Sequence, residues 1–291
     1  MNIEKKRKSS WNLFTRGVSG VIFLLIMMGS MFIGPSLFAF VLLFSVAVMT
    51  SEHTIIFLGN KYKREQSIAV LSGATLFIIS YLDAAFGISS SYYYLLVIPV
   101  TAIFVSMLFC GESRSSIVND HYRKSGALFT SLIYIALPFS LINHILFDSA
   151  GVYNPLPILF LFILLWSSDV GAYLFGMAFG QKGGHKLAPK ISPKKSWEGF
   201  FGGLFTAICS SIVIHYFGLL PFSLFHALVI AGIVVIFGVF GDLTESLLKR
   251  NFGIKDSGAI MPGHGGLLDR FDGALLAFPA AIAYVKLLSL I

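Results

Sequence analysis

Long apolar runs separated by short polar segments set the pattern of this chain. The runs lie at about 17–33, 35–57, 67–83, 91–109, 127–146, 155–179, 198–217, 223–247 and 273–290, each close to the ~20 residues an α-helix needs to cross a bilayer core. The pattern predicts an all-α, polytopic integral membrane protein of about nine transmembrane helices. Composition agrees, with 56% hydrophobic and 12% charged residues and a mean hydropathy of +0.82, well outside the range of soluble domains. The opening MNIEKKRK precedes an apolar run that continues too far for a signal peptide and lacks a small-residue cleavage site, so it is expected to be retained as the first span. Cys110 and Cys209 stand far apart and form no CxxC, which indicates neither a disulfide framework nor a zinc site.

The net charge of +7 raises the question of a nucleic-acid partner, and its distribution answers it. Lys5, Lys6, Arg7, Lys8 and Arg16 precede or open the first span. Lys61, Lys63 and Arg64, then Arg114, Arg123 and Lys124, occupy the next two segments on the same side. Lys182, Lys186, Lys190, Lys194 and Lys195, then Lys249, Arg250, Lys255 and Arg270, occupy the last two. Together these are 20 of the 21 basic residues. Only Lys286 falls elsewhere, within the last span, and the intervening loops (around Gly34, 84–90, 147–154 and 218–222) hold none. The positive-inside rule then puts the N-terminus and all five basic segments in the cytoplasm and the C-terminus outside. Topology explains the basic excess, and no nucleic acid is needed. The chain divides into an N-terminal region, 1–126, of about four spans, and a C-terminal region, 127–291, of about five, with cytoplasmic loops 180–197 and 248–272.

The N-terminal region carries little chemistry. Glu52 and His53, near the inner end of span two, are expected to be hydrated or to snorkel to the surface. Tyr92, Tyr93 and Tyr94 look like an interfacial anchor, and 110–126 reads as a loop without a motif. From residue 155 the character changes. Asp169 lies inside LLWSSDVGAYLFG, where a carboxylate is costly unless paired or hydrated and so marks a candidate site; Ser167, Ser168 and Gly171 beside it predict a close helix contact. Segment 180–203, GQKGGHKLAPKISPKKSWEGFFGG, reads as a loop ending in a helix capped by Ser196, with Glu198 in its first turn. Its lysines serve topology or lipid attraction, or, for Lys194 and Lys195, an anionic substrate oriented by Asp169 and Glu198.

The densest polar stretch is 241–273, GDLTESLLKRNFGIKDSGAIMPGHGGLLDRFDG. It holds five of the 14 carboxylates (Asp242, Glu245, Asp256, Asp269 and Asp272) and four basic residues (Lys249, Arg250, Lys255 and Arg270), with His264 and five internal glycines. Asp242, Glu245, Ser246 and Lys249 share one face of a helix end. Asp269 and Asp272 are three apart at the start of the last span. Two helix ends that each present two carboxylates can meet and chelate a cation. Carboxylates beside cations and glycine-rich backbone suit a metal-chelated polyphosphate, since Mg²⁺ takes hard oxygens while Lys, Arg and backbone N–H groups take phosphate oxygens. His264 between glycines is a candidate phosphate contact.

SLLKRNFGIKDSGAIMPGHGGLLDRFD resembles the signature of phosphatidate cytidylyltransferases (CDP-diacylglycerol synthases): S-x-x-K-R, four residues, K-D, a small residue two later, then H-G-G-x-x-D-R-x-D. SSDVGAYLFG and HKLAPKISPKKSWEG also match, so the resemblance is sharp over about 166–273 and covers the earlier spans in hydropathy alone. Met261 stands where an aliphatic residue or Phe is usual and Ser196 where Thr is common, and neither departure removes a charged group. The resemblance implies the reaction of CTP with phosphatidic acid to give CDP-diacylglycerol and pyrophosphate at the cytoplasmic face of the cell (inner) membrane. It implies Mg²⁺ on Asp242 and Asp269, a second metal such as K⁺ nearby, and a nine-span homodimer. The chemistry adds Asp272 to the metal set and makes Lys249, Arg250, Lys255, Arg270 and His264 triphosphate candidates, with Asp256 beside them and Glu245 and Ser246 on the substrate face. Lys194 and Lys195, with Ser196 alongside, are candidates for the phosphatidate headgroup. A CTP-dependent polyprenol kinase is a near alternative, disfavoured by the full K-D…H-G-G-x-x-D-R-x-D string. A cation-coupled transporter would want midplane polar residues on several spans and an internal repeat, and neither is seen.

Overall fold

The computed structural model describes residues 3–108, 117–148, 150–181 and 184–290. It is almost wholly helical: α1 (Ile3–Ile33), α2 (Pro35–Leu58), α3 (Lys63–Phe86), a 3₁₀ stretch (Ser90–Leu96), α4 (Val97–Leu108), α5 (Ile117–Ser131), a π-turn (Leu132–Ala136), α6 (Leu137–Leu146), α7 (Leu156–Phe179), strands β1 (Lys186–Ala188) and β2 (Ser192–Ser196), α8 (Trp197–Tyr216), α9 (Leu224–Asn251), the single-turn α10 (Leu268–Phe271) and α11 (Ala274–Leu287). Among the described residues six helices are long and apolar enough to cross a membrane: α2, α3, the continuous Arg123–Leu146, α7, α8 and α9. Three shorter apolar helices, Gly17–Ile33, Ser90–Val105 and Ala274–Leu287, stand where the hydropathy pattern puts further spans. The architecture is that of a polytopic helical membrane protein. Cys110, Arg114 and Lys182 lie outside the described residues.

Two of the expected loops contain regular structure. Residues 117–126 are helical rather than loop, because α5 begins at Ile117. Segment 180–197 carries a two-stranded antiparallel hairpin, β1 to β2, with Lys186 opposite Ser196 and Ala188 opposite Ser192. Ser196 then caps α8, its Oγ accepting from the Gly199 N–H at 3.2 Å.

The chain forms two compact units. The first comprises residues 1–81, 89–137 and 254–270, and the second 82–88, 138–253 and 271–291. In the first, α2 packs on α1 and α5, and Gly73 of α3 lets that helix approach Val46 and Thr50. Lys124 of α5 is buried in an ion pair with Glu65 of α3 at 3.2 Å and sits over the Tyr62 ring. In the second, α7 and α8 make the most extensive helix contact. A side chain at Gly171 would meet Thr206 and the Gly202 carbonyl, and one at Gly203 would meet the Ser168 carbonyl. Small residues thus let two backbones touch, which is how helices associate where lipid removes the hydrophobic drive. Thr206 seals the contact by donating to the Ser167 carbonyl at 2.9 Å. Phe271, buried, stacks edge-on against Phe139 at 5.0 Å and Phe162 at 6.4 Å, anchoring the chain just ahead of Asp272.

Candidate active site

In the first unit the chain from Ile254 to Arg270 winds into a loop held from beneath by two carboxylates. Met261 N donates to the Gly265 carbonyl at 3.0 Å and His264 N to the Met261 carbonyl at 2.9 Å. Gly263 (φ 77°) and Gly265 (φ 87°) occupy the left-handed region this tight turn requires. Asp269, in α10, turns one carboxylate oxygen back under the loop, where it accepts from Ser257 N (2.8 Å), Ser257 Oγ (2.9 Å) and Gly266 N (2.8 Å). Glu52 of α2 supplies the second support. Its Oε1 accepts from Leu267 N at 3.1 Å and its Oε2 from Leu268 N at 2.9 Å, with Ser257 Oγ 3.3 Å away. Glu52 lies so close that a Cβ at Gly258 or Gly266 would collide with it. That is why the loop is glycine where it crosses α2.

The expectation for Glu52 and His53 is therefore corrected. Neither is hydrated nor snorkelling: Glu52 is 8% and His53 2% exposed. Glu52 satisfies backbone donors of the loop, and His53 packs on Phe57 and lies 3.4 Å from Thr130 Oγ1. Position near a span end suggested solvation, but a partner more than 200 residues away in sequence replaced the water.

Above this support lies a polar cavity of about 560 Å³, lined by Lys255, Asp256, His264, Arg270 and loop backbone from Gly258 to Gly265. Arg270 donates to the His264 carbonyl at 2.9 Å, which aims its guanidinium along the wall. His264 Nδ1 is 2.7 Å from Ser19 Oγ of α1, and the Ser19 hydroxyl also reaches the Pro262 carbonyl at 3.1 Å. The two basic side chains and the imidazole thus share one concave surface with exposed loop backbone.

In the second unit the acidic end of α9 meets the β-hairpin. Lys195 of β2 pairs with Asp242, whose other oxygen accepts from Ser246 Oγ at 3.1 Å. Glu245, fully buried, pairs with Lys249 at 3.1 Å. Glu198 does not reach the lysines. It accepts from His185 N at 2.9 Å and so fastens the start of the hairpin to α8. Lys194 and Arg250 are exposed. Asp169, exposed on α7, has Asp272, Asp242 and Lys195 as its charged neighbours. Asp272 lies between α10 and α11, outside both helices, so the helical-face argument for Asp269 and Asp272 does not extend to it. Its Oδ1 accepts from Gly273 N at 2.7 Å. Burial, and then the Asp242 charge, push the Asp272 carboxyl up to about 6, against the opposing pull of Glu245, Gly273 N–H and Lys249. Four carboxyl groups, Asp169, Asp242, Glu245 and Asp272, gather here against two lysines.

Gly241 fixes how closely Asp272 approaches α9, since a Cβ there would stand 2.3 Å from the Asp272 carbonyl and 3.0 Å from Gly273 Cα. Gly241→Ala is expected to displace this turn, lowering both Tm and activity. Gly232→Ala, on the same helix with nothing within 4 Å, should be neutral or stabilising by up to about 1 kcal/mol. Equal behaviour of the two variants in a thermal melt would refute the close approach.

The family model described as "Cytidylyltransferase family" matches residues 14–288. The chain belongs to the cytidylyltransferase family. Among curated proteins it is similar to the phosphatidate cytidylyltransferases of Staphylococcus aureus, at 48% identity, and of Staphylococcus epidermidis and Staphylococcus haemolyticus, each at 40%. Each alignment runs over 122 residues, 42% of this chain and 46% of the relative. The chain thus spans about half the length of the curated relatives it matches. Within this cytidylyltransferase-family chain, the cavity brings together Lys255, Asp256, His264 and Arg270, and the α9 end brings together Asp242, Glu245, Ser246, Lys249 and Lys195. Glu52, Ser257 and Ser19 were not legible as site residues: Glu52 carried only the signal of a carboxylate in a span, and the two serines carried none.

Proposed function

We propose that this chain transfers the cytidylyl group of CTP to phosphatidic acid, releasing pyrophosphate and leaving CDP-diacylglycerol in the membrane. The observation that carries the reading is the loop of residues 254–270, whose glycine backbone, Lys255, His264 and Arg270 line one anion-sized cavity in a family of cytidylyltransferases. Lys255, Arg270 and His264 take triphosphate oxygens, and Asp269 and Glu52 keep their platform in shape. Lys194 and Lys195 serve the lipid phosphate. The nucleophile is a phosphate oxygen that is already anionic, so no side chain has to act as general base. It bonds to the α-phosphorus as the bond from that phosphorus to the bridging oxygen breaks, and pyrophosphate leaves with the electron pair. Positioning two polyanions and neutralising the leaving group is the task of the basic side chains.

The donor set also fits a divalent metal. Among the described residues no three His, Cys, Asp or Glu side chains stand together in metal-holding geometry, but Mg²⁺ is ordinarily held by one or two carboxylates plus substrate phosphates. Asp242 and Asp272, close enough for one to raise the pKa of the other, supply such a pair of hard oxygen donors, with Asp169 as their neighbour. Family resemblance adds Asp269 as a ligand and K⁺ as a second ion. When bound, Mg²⁺ supplies charge neutralisation at the phosphates.

The reading includes nine spans with the N-terminus and the basic segments on the cytoplasmic side, residence in the cell (inner) membrane, an active site facing the cytoplasm and a homodimer. The 20 same-sided basic residues support the orientation.

The test uses purified protein in detergent with Mg²⁺, phosphatidic acid and a polyprenol, and CTP labelled in parallel at the α- or the γ-phosphate. Label from the α-phosphate entering the organic phase, dependent on phosphatidic acid, is the expected result. Label from the γ-phosphate would make the protein a kinase, and no transfer from folded protein would return attention to transport.

A further inference from the structure

Beside the polar cavity, in the same unit, runs an apolar groove of about 420 Å³ between α1, α2 and the signature loop. Ile22 and Ile26 form one wall, a single helical turn apart and each about half exposed (51% and 52%). Phe44 of α2 and Ile260, Met261 and Leu267 of the loop line it as well. Met261 belongs to both spaces, lining the groove and the polar cavity. The seam between them is the Ser19–His264 pair, which ties α1 to the loop. The volume falls in the range of small-ligand sites, roughly 300–1,000 Å³.

We infer that this groove seats one acyl chain of the anionic phospholipid substrate, with its headgroup end at the Ser19–His264 seam beside the triphosphate cavity; the inference rests on the cytidylyl-transfer reading above. An apolar trough that shares a wall with the triphosphate cavity suits a hydrocarbon tail whose phosphate must reach the bound nucleotide, and the positive charge of Lys255, Arg270 and His264 at that wall favours an anionic lipid over a neutral one. Cytosine does not fit the trough, whose lining offers few polar partners. A chain moving from bilayer to groove exchanges one hydrocarbon environment for another, so it gains little hydrophobic free energy. What the groove contributes is register: with the chain seated, the phosphate oxygen is presented at a fixed place, and misplacement of a nucleophile by about 1 Å costs on the order of a hundredfold. Helices α1 and α2 thereby acquire a function that their sequence does not advertise.

Two measurements test it. First, Ile22→Trp with Ile26→Trp fills the trough from positions exposed enough to accept the added bulk. In mixed micelles the kcat/KM for dioleoyl phosphatidic acid should fall at least about tenfold more than that for dihexanoyl phosphatidic acid, with KM for CTP little changed. An equal loss on both lipids, or none on the long one, overturns the inference. Second, the unsubstituted protein is photolabelled with phosphatidic acid carrying an acyl-chain diazirine, without CTP. Adducts on residues 18–26 or 260–267, displaced by unlabelled phosphatidic acid and not by phosphatidylcholine, support the groove. Adducts elsewhere, or displacement by both lipids alike, overturn it. Labelling does not depend on turnover. Specific adducts without α-label transfer would therefore sink the reaction and keep the lipid site, and transfer without such adducts would do the reverse.

Discussion

Asp242→Asn is expected to reduce cytidylyl transfer at least about a hundredfold while leaving the fold almost untouched. The substitution preserves shape, and the amide oxygen still accepts from Ser246 Oγ. What disappears is one negative charge beside Asp272, whose carboxyl is pushed up by burial and then by that same charge. The stability cost is small because the Lys195–Asp242 pair is partly solvated, its side chains 24% and 38% exposed, and such pairs contribute about 0–1 kcal/mol. Removing the carboxylate also relieves its repulsion of Asp272, which offsets part of the loss. The measurements are the α-label transfer assay across a Mg²⁺ titration and a thermal melt on the same preparation. A lost or strongly right-shifted Mg²⁺ response with an unchanged Tm is the expected pair of results. Near-normal turnover at matched expression would remove Asp242 from the metal. Asp269→Asn should behave differently, because Asp269 also holds Ser257 and Gly266; there a fall in Tm should accompany the loss of turnover.

What could be read in the sequence, and what could not, divides along the range of the forces involved. The long apolar runs are set by bilayer thickness, a constraint that acts on each segment separately, so α2, α7, α8 and α9 begin and end within a few residues of where hydropathy puts them. The Ser196 cap and the Asp242, Glu245, Ser246 and Lys249 face are local for the same reason. They depend on spacing within a turn or two of helix, and the structure shows Ser246 on Asp242 and Lys249 on Glu245. Three features escaped. The hairpin at 186–196 is too short to leave a strand pattern among its lysines and prolines. Proximity in sequence puts Glu198 beside Lys194 and Lys195, yet the hairpin turns His185 toward it. The support beneath the signature loop joins Glu52 to Leu267 and Leu268 across more than two-thirds of the chain, and no periodicity records a contact of that range. As a sequence pattern, the signature glycines point to phosphate-facing backbone. Gly258 and Gly266 are glycine also because Glu52 leaves no room for a side chain.

That hidden support leads to the second large effect, in a residue that carries no part of the reaction. Glu52→Ala would leave the N–H groups of Leu267 and Leu268 buried without an acceptor, in a region where both residues are fully or nearly fully covered. Each such orphan costs about 1–3 kcal/mol, so the pair alone withdraws a large share of the 5–15 kcal/mol that typically separates folded from unfolded protein. Glu52→Gln offers a graded comparison. Its carbonyl oxygen can serve one of the two N–H groups, and its amide confronts the other with a donor, so roughly half of the support survives. The expected order of Tm is native, then Gln, then Ala, by more than the ~0.5 kcal/mol typical of surface substitutions. The cavity floor is built on the same backbone, so KM for CTP should rise in the same order, more steeply than kcat falls in the Gln variant. Asp242→Asn predicts the opposite combination, with turnover lost and stability kept. If Glu52→Ala instead melts and turns over like the native protein, the hydrogen bonds to Leu267 and Leu268 are not what holds the loop, and Asp269 carries that role alone.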